Sequence, residues 1–484
     1  MKNKFKIYTT SFLLSAVLVT VSSCKKDFKE INTTPNGSEF ALPKALLAPA
    51  ITSVVRANMN RSQRINNELM QITINMGDQE GKIFRYEIRA SEADYLWNAW
   101  YIELTNFNDI YEGASPERLN IPSYQGIALI MQAYVFSLLT DTYGNVPFKD
   151  ANKGKLGIKA PPFDLQQDIY TGIFEKLEAA NTILASSVNV AESSDPIYEG
   201  NVSNWRKFGN SLYLRLLMRV SAKAEFNAPA KIAEIVETNA ANYPIMTSND
   251  DSAILRWTGS SPYVSPFATT RDADWYTPKL GEFFVDNLGE RSDPRIQSWA
   301  TLFEGEYQGI PSGYSVGEAP QGKSAFPLSL QVEPLLGNIL NYGELQLILA
   351  EAAVKGYISK SAKTYYETGA ASGITLWGYT VPNNYFTFAK VKWDDSYSFE
   401  QKMELIFIQK YYALFFTDLQ SWIEYRRTGY PSLPKGAGLA NNGIMPARLT
   451  YPVYVQSANP TNYKEAVQRQ GPDEVTTQVW WQRP

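Results

Sequence analysis

Apolar residues recur along this chain mainly at the 3.6-residue period of an α-helix. Ile127, Ile130, Met131, Tyr134, Val135 and Leu138 fall at offsets that keep them on one helical stripe. Leu345, Ile348, Leu349, Ala352 and Ala353 do the same, as do Met403, Ile406, Phe407, Tyr411, Leu414 and Phe415. Each stripe has to be buried against a neighbour. Helical segments follow one another at short distance, so the spacing predicts four pairs: 124–140 with 165–185, 203–222 with 229–239, 341–357 with 361–372, and 399–416 with 418–427. Paired helices of this kind point to a mostly α, superhelical repeat scaffold over about 124–239 and 341–427. No fixed repeat length accompanies it, and Ala350, Ala352 and Ala353 are the small residues that suggest close helix crossing.

Between the second and third pairs the pattern breaks. Residues 242–338 carry nine prolines, from Pro244 to Pro334, with many Gly and Ser, and short aromatic clusters replace the helical period. Such a stretch reads as loop. A loop this long inside a compact domain is expected to serve a ligand. A second irregular stretch runs from about Tyr430 onward, with Trp480 and Trp481 placed to dock the tail.

The amino-terminal pattern is of a different kind. Lys2, Lys4 and Lys6 precede an apolar run from Phe12 to Val21 that is too short to span a bilayer as a helix. This reads as an export signal over residues 1–23. Val21-Ser22-Ser23-Cys24 then sets small residues before the only cysteine, the pattern of a bacterial lipoprotein processing site with Cys24 as the lipidated first residue. A plain secretory signal with a spare thiol is the other reading, but a lone thiol has no evident use in an exported protein. More than one acyl chain gives stable anchoring. The expected body, residues 41–484, is then tethered to a membrane through 24–40 and does not cross it.

Composition narrows the chemistry. With no histidine and the one cysteine assigned to lipid, the body has no means to build a Ser-His-Asp triad, a Cys nucleophile, a zinc site of the usual N/S type or a disulfide. Carboxylate chemistry, Ser-Lys nucleophiles and oxygen-ligated cations survive. The formal net charge of −4 offers no basic face, so nucleic acid is not an expected partner. Asn249-Asp250-Asp251 lacks the spaced oxygen ligands of a calcium loop and reads as a solvated turn.

Several blocks in order carry a family resemblance. The segment from Cys24-Lys25-Lys26-Asp27-Phe28 to Thr34-Pro35-Asn36 resembles the mature start of the SusD/RagB family of nutrient-binding outer-membrane lipoproteins. Asp141-Thr142-Tyr143-Gly144-Asn145-Val146-Pro147-Phe148, Asn204-Trp205-Arg206-Lys207-Phe208-Gly209, Asp293-Pro294-Arg295, the run Tyr342 to Ala352, Glu424-Tyr425-Arg426-Arg427-Thr428-Gly429 and Arg448-Leu449-Thr450-Tyr451-Pro452 continue it. The resemblance implies a tetratricopeptide-like scaffold of four helix pairs with long ligand-facing loops. It also implies a place on the outer-membrane surface beside a SusC-type TonB-dependent transporter, to which oligosaccharide or peptide is passed, and neither catalysis nor a cofactor.

Sugar rings present an apolar C–H face and a rim of hydroxyls, which suits planar aromatic side chains with a few polar partners, and aromatic pockets also serve peptides. The candidates are Trp257, Tyr263, Phe267, Trp275 and Tyr276 in the Pro-rich excursion, with Asp272 and Asp274 as acceptors and Arg271 as donor. Trp257 and Trp275 are the expected stacking platforms. Tyr86, beside Arg85, is a further candidate from the first loop region. Each of these aromatics has the plainer alternative of packing its own loop. Trp97, Trp100 and Tyr101 lie in a helically spaced segment, Ala93 to Asp109, that favours core packing, with Trp97 the exception available to ligand. Asp141 to Phe148 reads as a direction-setting turn, Arg206, Arg426 and Arg427 as structural forks, and Glu351 as a cap or backbone partner. Two other classes stay open: a surface glycosidase using carboxylates such as Asp272, Asp274 or Glu282, and a helical adaptor that binds only proteins.

Overall fold

In the computed structural model, which describes residues 41–77 and 79–483, helices form where the stripes predict them and also before, between and after the predicted pairs. The export signal, Cys24 and the tether over 24–40 lie outside the described residues. Two helices, α1 (Pro43–Arg61) and α2 (Glu92–Gly113), precede the scaffold and pack together. The predicted pairs follow: α3 (Pro122–Tyr143) with α4 (Gln166–Leu184), and α5 (Val202–Arg219) with the short α6 (Ala228–Ala233). After α7 (Glu282–Glu290) come α8 (Tyr342–Val354) with α9 (Ala362–Leu376), then α10 (Phe399–Ala413) with α11 (Gln420–Thr428). The tail carries α12 (Val453–Ala458) and α13 (Pro460–Gln470). Among the described residues no helix is long and apolar enough to cross a membrane.

Local chemistry sets the helix ends. Pro122 opens α3 at a position whose N–H would be unpaired anyway. Asn201 and Asn341 cap α5 and α8 by accepting from the backbone of Asn204 and Glu344, and Ser398 with Gln401 closes a capping box on α10. Gly144 ends α3 at φ +85°, and a Cβ there would overlap the Gln470 amide. Glycines contribute to the close crossing of α8 and α9: a Cβ on Gly343 would lie 3.1 Å from the Gly369 carbonyl oxygen.

Two-stranded ladders occur inside the stretch read as loop. β1 (Thr73–Asn75) pairs antiparallel with β3 (Pro278–Leu280), Thr73 opposite Leu280, and β2 (Ala253–Ile254) pairs with β4 (Asn338–Leu340). The excursion is thereby sewn to the first loop region at β1 and to the start of α8 at β4.

The scaffold's interior is charged as well as apolar. Arg219 of α5 donates to Asp141 of α3 and to Glu424 of α11 (2.9 Å). Glu424 also accepts from Lys410 of α10 and from Arg427, each at 2.7 Å. Arg427 donates both of its terminal nitrogens to Glu351 of α8 at 2.7 Å, and Lys355 reaches the same carboxylate at 3.0 Å. Glu351 is therefore paired with cations, not with backbone. Asp141, read as part of a turn, is a buried acceptor for Arg219, Tyr170 and the Trp481 indole. Burial pushes the Asp141 carboxyl up, while Arg219 pulls it back. Asp251 is likewise not solvated: it is buried and bonded to Lys207 (2.9 Å) and Thr247 (2.7 Å).

Candidate ligand-binding site

Three of the aromatic candidates are core residues. Trp275 is 1% exposed, donates its indole N–H to the Pro327 carbonyl (3.0 Å) and packs between Phe267 and Phe326. Phe267 in turn meets Phe416. Trp257, also 1% exposed, lies beneath the Arg56 guanidinium and against Met59. The expectation that these rings serve as stacking platforms is corrected: they anchor the excursion to the scaffold with no face left for a ligand. Tyr86 is buried too, at φ +67°, and burial pushes its phenol upward.

The polar candidates sit on the surface without converging. Arg271 and Asp274 are exposed and paired with each other at 2.7 Å, Asp272 is exposed beside them, and Tyr276 is half-buried with its carbonyl taken by Lys279. Tyr263 lines a separate open groove of about 1150 Å³ with Arg56 and Arg256.

Trp97, itself 5% exposed, is the candidate whose ring lines a concave aromatic site. Trp97 and Tyr101 are one turn apart on α2, with ring centroids 5.0 Å apart, so helical geometry presents both rings on one face. Phe163, on the segment between α3 and α4, and Tyr454 of α12 complete a cavity of about 410 Å³. Trp97 is held edge-on by Tyr143 (5.1 Å) and Tyr451 (6.1 Å). The Tyr101 hydroxyl donates to the Pro147 carbonyl (2.7 Å), and the Tyr454 hydroxyl to Asn98 (2.5 Å). Asn152 and Asn459, both lining the cavity, donate their amides to the Tyr101 (2.8 Å) and Pro161 (2.7 Å) carbonyls, and the Asn459 side-chain oxygen accepts from Asn462 (2.7 Å). Lys159 adds a cation to the rim. A preformed cage of rings with a few amide and ammonium groups suits the apolar face and hydroxyl rim of a sugar.

Phe163 and Tyr454 escaped the sequence reading. Phe163 sits in a Pro-Pro turn without period, and Tyr454 lies just beyond Tyr451-Pro452 in a tail expected to be irregular. The proximity of Tyr454 to that block was the one signal available.

A third concavity, of about 250 Å³, is polar and lies in the loop that follows β1, lined by residues between Arg64 and Arg89. It is reached by the first loop region from which Tyr86 was drawn.

Comparison with known proteins agrees with this architecture. Residues 35–452 match the SusD-like family described as starch-binding and associating with the outer membrane. A SusD homologue from Bacteroides fragilis is 27% identical, with 92% of this chain and 99% of that one covered at a TM-score of 0.76. A chitin-binding protein is 25% identical over 91% of this chain and 99% of its own, at 0.76. A SusD homologue from Bacteroides uniformis shares the fold at a TM-score of 0.80 and 23% identity, covering 91% and 99%. No curated protein matches in sequence. The chain belongs to the SusD-like family of nutrient-binding proteins that associate with the outer membrane.

Proposed function

We propose that this protein captures oligosaccharide in the cavity of Trp97, Tyr101, Phe163 and Tyr454 and hands it to a SusC-type TonB-dependent transporter, without chemical change to the ligand. The observation that carries the reading is the preformed ring cage, whose hydroxyls are already bonded to protein and need no rearrangement to receive a sugar. The chitin-binding relative at 25% identity supports a glycan over a peptide as ligand. The protein is held at the cell surface by acyl chains on Cys24.

Tyr454 offers a clean test because it is 42% exposed and its removal leaves no buried void. Tyr454→Ala is expected to stay folded and to lose about 1 kcal/mol of affinity, roughly fivefold, for chitotriose or maltotriose in titration calorimetry. Unchanged affinity moves the capture site elsewhere. Purified wild type that binds neither sugar while still retaining the transporter favours the protein-only adaptor. For the anchor, Cys24→Ala is expected to remove palmitate labelling and shift the protein from the membrane to the soluble fraction, and persistence in the membrane counts against lipid attachment.

A further inference from the structure

The polar cleft after β1 is walled by Arg64, Glu68, Asn75, Gln79, Lys82 and Arg89. The described residues of its loop bond to one another. Glu87 accepts the backbone N–H groups of Gly81 (2.6 Å) and Lys82 (3.0 Å), Arg85 donates to the Gln79 carbonyl (2.5 Å), and Arg89 to the Glu80 carbonyl (2.9 Å). The cations are unevenly satisfied. Arg64 meets Glu92 at 2.5 Å, but Lys82 and Arg89 bond only to carbonyls, and among the described residues neither has a carboxylate within 4 Å. Burial lowers the Lys82 ammonium; Glu68 pulls it back up, and Arg85, Arg64 and Arg89 lower it further. Lys82 and Arg89, neither of them in an ion pair among the described residues, are the cations this cleft offers to an anion.

We propose that this cleft is a second binding site, separate from the ring cage, which takes a carboxylate-bearing group between Lys82 and Arg89 with Glu68 donating a hydrogen bond to it. Glu68 is 5% exposed, and its Oε2 accepts the Phe84 N–H at 3.1 Å. Burial raises its carboxyl to about 8, against the pull of the Phe84 N–H, Arg64 and Lys82, and Glu92 of α2 adds to the rise. On the loop side the remaining charged groups are Glu80, Arg85, Glu87 and Arg89, with Asp78 outside the described residues, and β1 contributes none. At neutral pH Glu68 is therefore an acid that donates to an anion rather than repelling it. A neutral sugar gains nothing from these charges. The ligand chemistry is a carboxylate, found on uronic-acid glycans and on peptide termini alike.

The sign of the pH response follows. Carboxylate binding needs Glu68 protonated, so affinity is full below about pH 8 and falls as the group ionises, roughly tenfold between pH 7 and 9. The experiment is calorimetric titration of the whole protein with trigalacturonate, triglycine and maltotriose across that range. Trigalacturonate bound without triglycine makes the ligand an acidic glycan, and the reverse makes it a peptide end; either supports the site. Lys82→Met is expected to weaken the carboxylate probe about tenfold and leave maltotriose unchanged. Glu68→Gln is expected to keep the affinity at pH 7 and to abolish its decline. Absence of binding by both carboxylate probes, or a Lys82→Met protein with undiminished affinity for the bound one, overturns the site. A Glu68→Gln protein that declines like wild type overturns the role of Glu68. Should Glu68→Gln fail to fold, Lys82→Met on a half-exposed side chain decides alone. Tyr454→Ala weakens maltotriose but leaves the Lys82 and Glu68 dependence of the carboxylate probe unchanged, which separates this site from the sugar cage.

Discussion

Glu424→Ala is expected to abolish accumulation of folded protein. Glu424 is 4% exposed and is the shared acceptor of Arg219, Lys410 and Arg427. Burial alone would raise its carboxyl, but Arg427, Lys410 and Arg219 outweigh that and hold it well below the usual range. Its ionised form is thus favoured by folding, and that contribution is present at neutral pH and lost only as pH falls below the ordinary carboxylate range. After truncation Arg219 keeps Asp141 and Arg427 keeps Glu351, while Lys410 has no carboxylate left within 4 Å among the described residues. An uncompensated buried charge of this sort costs about 3–5 kcal/mol, a large part of a total stability on the order of 5–15 kcal/mol. Urea unfolding of whatever soluble protein is recovered measures it, and a midpoint equal to wild type would contradict the account. Glu424→Gln, which keeps hydrogen-bond acceptance without the charge, should fall between the two.

Trp275→Ala is expected to lower stability by about 3–5 kcal/mol, as removal of a large core ring does, and to leave the sugar affinity of the folded fraction unchanged. The indole fills the space between Phe267 and Phe326 and satisfies the Pro327 carbonyl, so truncation opens a void and orphans an acceptor together. The same holds for Trp257 over Met59. Thermal denaturation and calorimetry on one preparation separate the two effects. A Trp275→Ala protein with wild-type stability and no sugar binding would return the site to the excursion.

Periodicity made the scaffold legible because six apolar residues from Ile127 to Leu138 leave little choice of face. It missed α1, where Pro49 interrupts the segment and residues such as Thr52, Ala57 and Asn58 are buried off the apolar stripe, so no single face stands out. It missed β1 to β4 because ladders of two or three residues carry no period at all. The site was harder still. Whether an aromatic in a Pro-rich loop points outward depends on partners far along the chain: Trp257 is covered by Arg56, and Trp275 by Phe326. The same distance hid the ion network, since Glu351 and Arg427 lie on different helix pairs. Trp97 was recognisable as an exception to its helix's apolar face, but its cage needed Phe163 and Tyr454, which no local pattern marks.

The segment from 447 to 483 closes over the turn at Gly144. Gln470 accepts from the Asn145 backbone and donates to the Tyr143 carbonyl, the Tyr451 hydroxyl donates to the Asn145 carbonyl (2.7 Å), and Trp481 donates to Asp141 (2.8 Å). Ribosomes make that segment after every scaffold helix it covers, so Asp141 and its cations stay hydrated until synthesis has passed Trp481. The direction of synthesis thus works as a timer: the nascent chain holds no finished interior around Asp141 until its closing strap has been made.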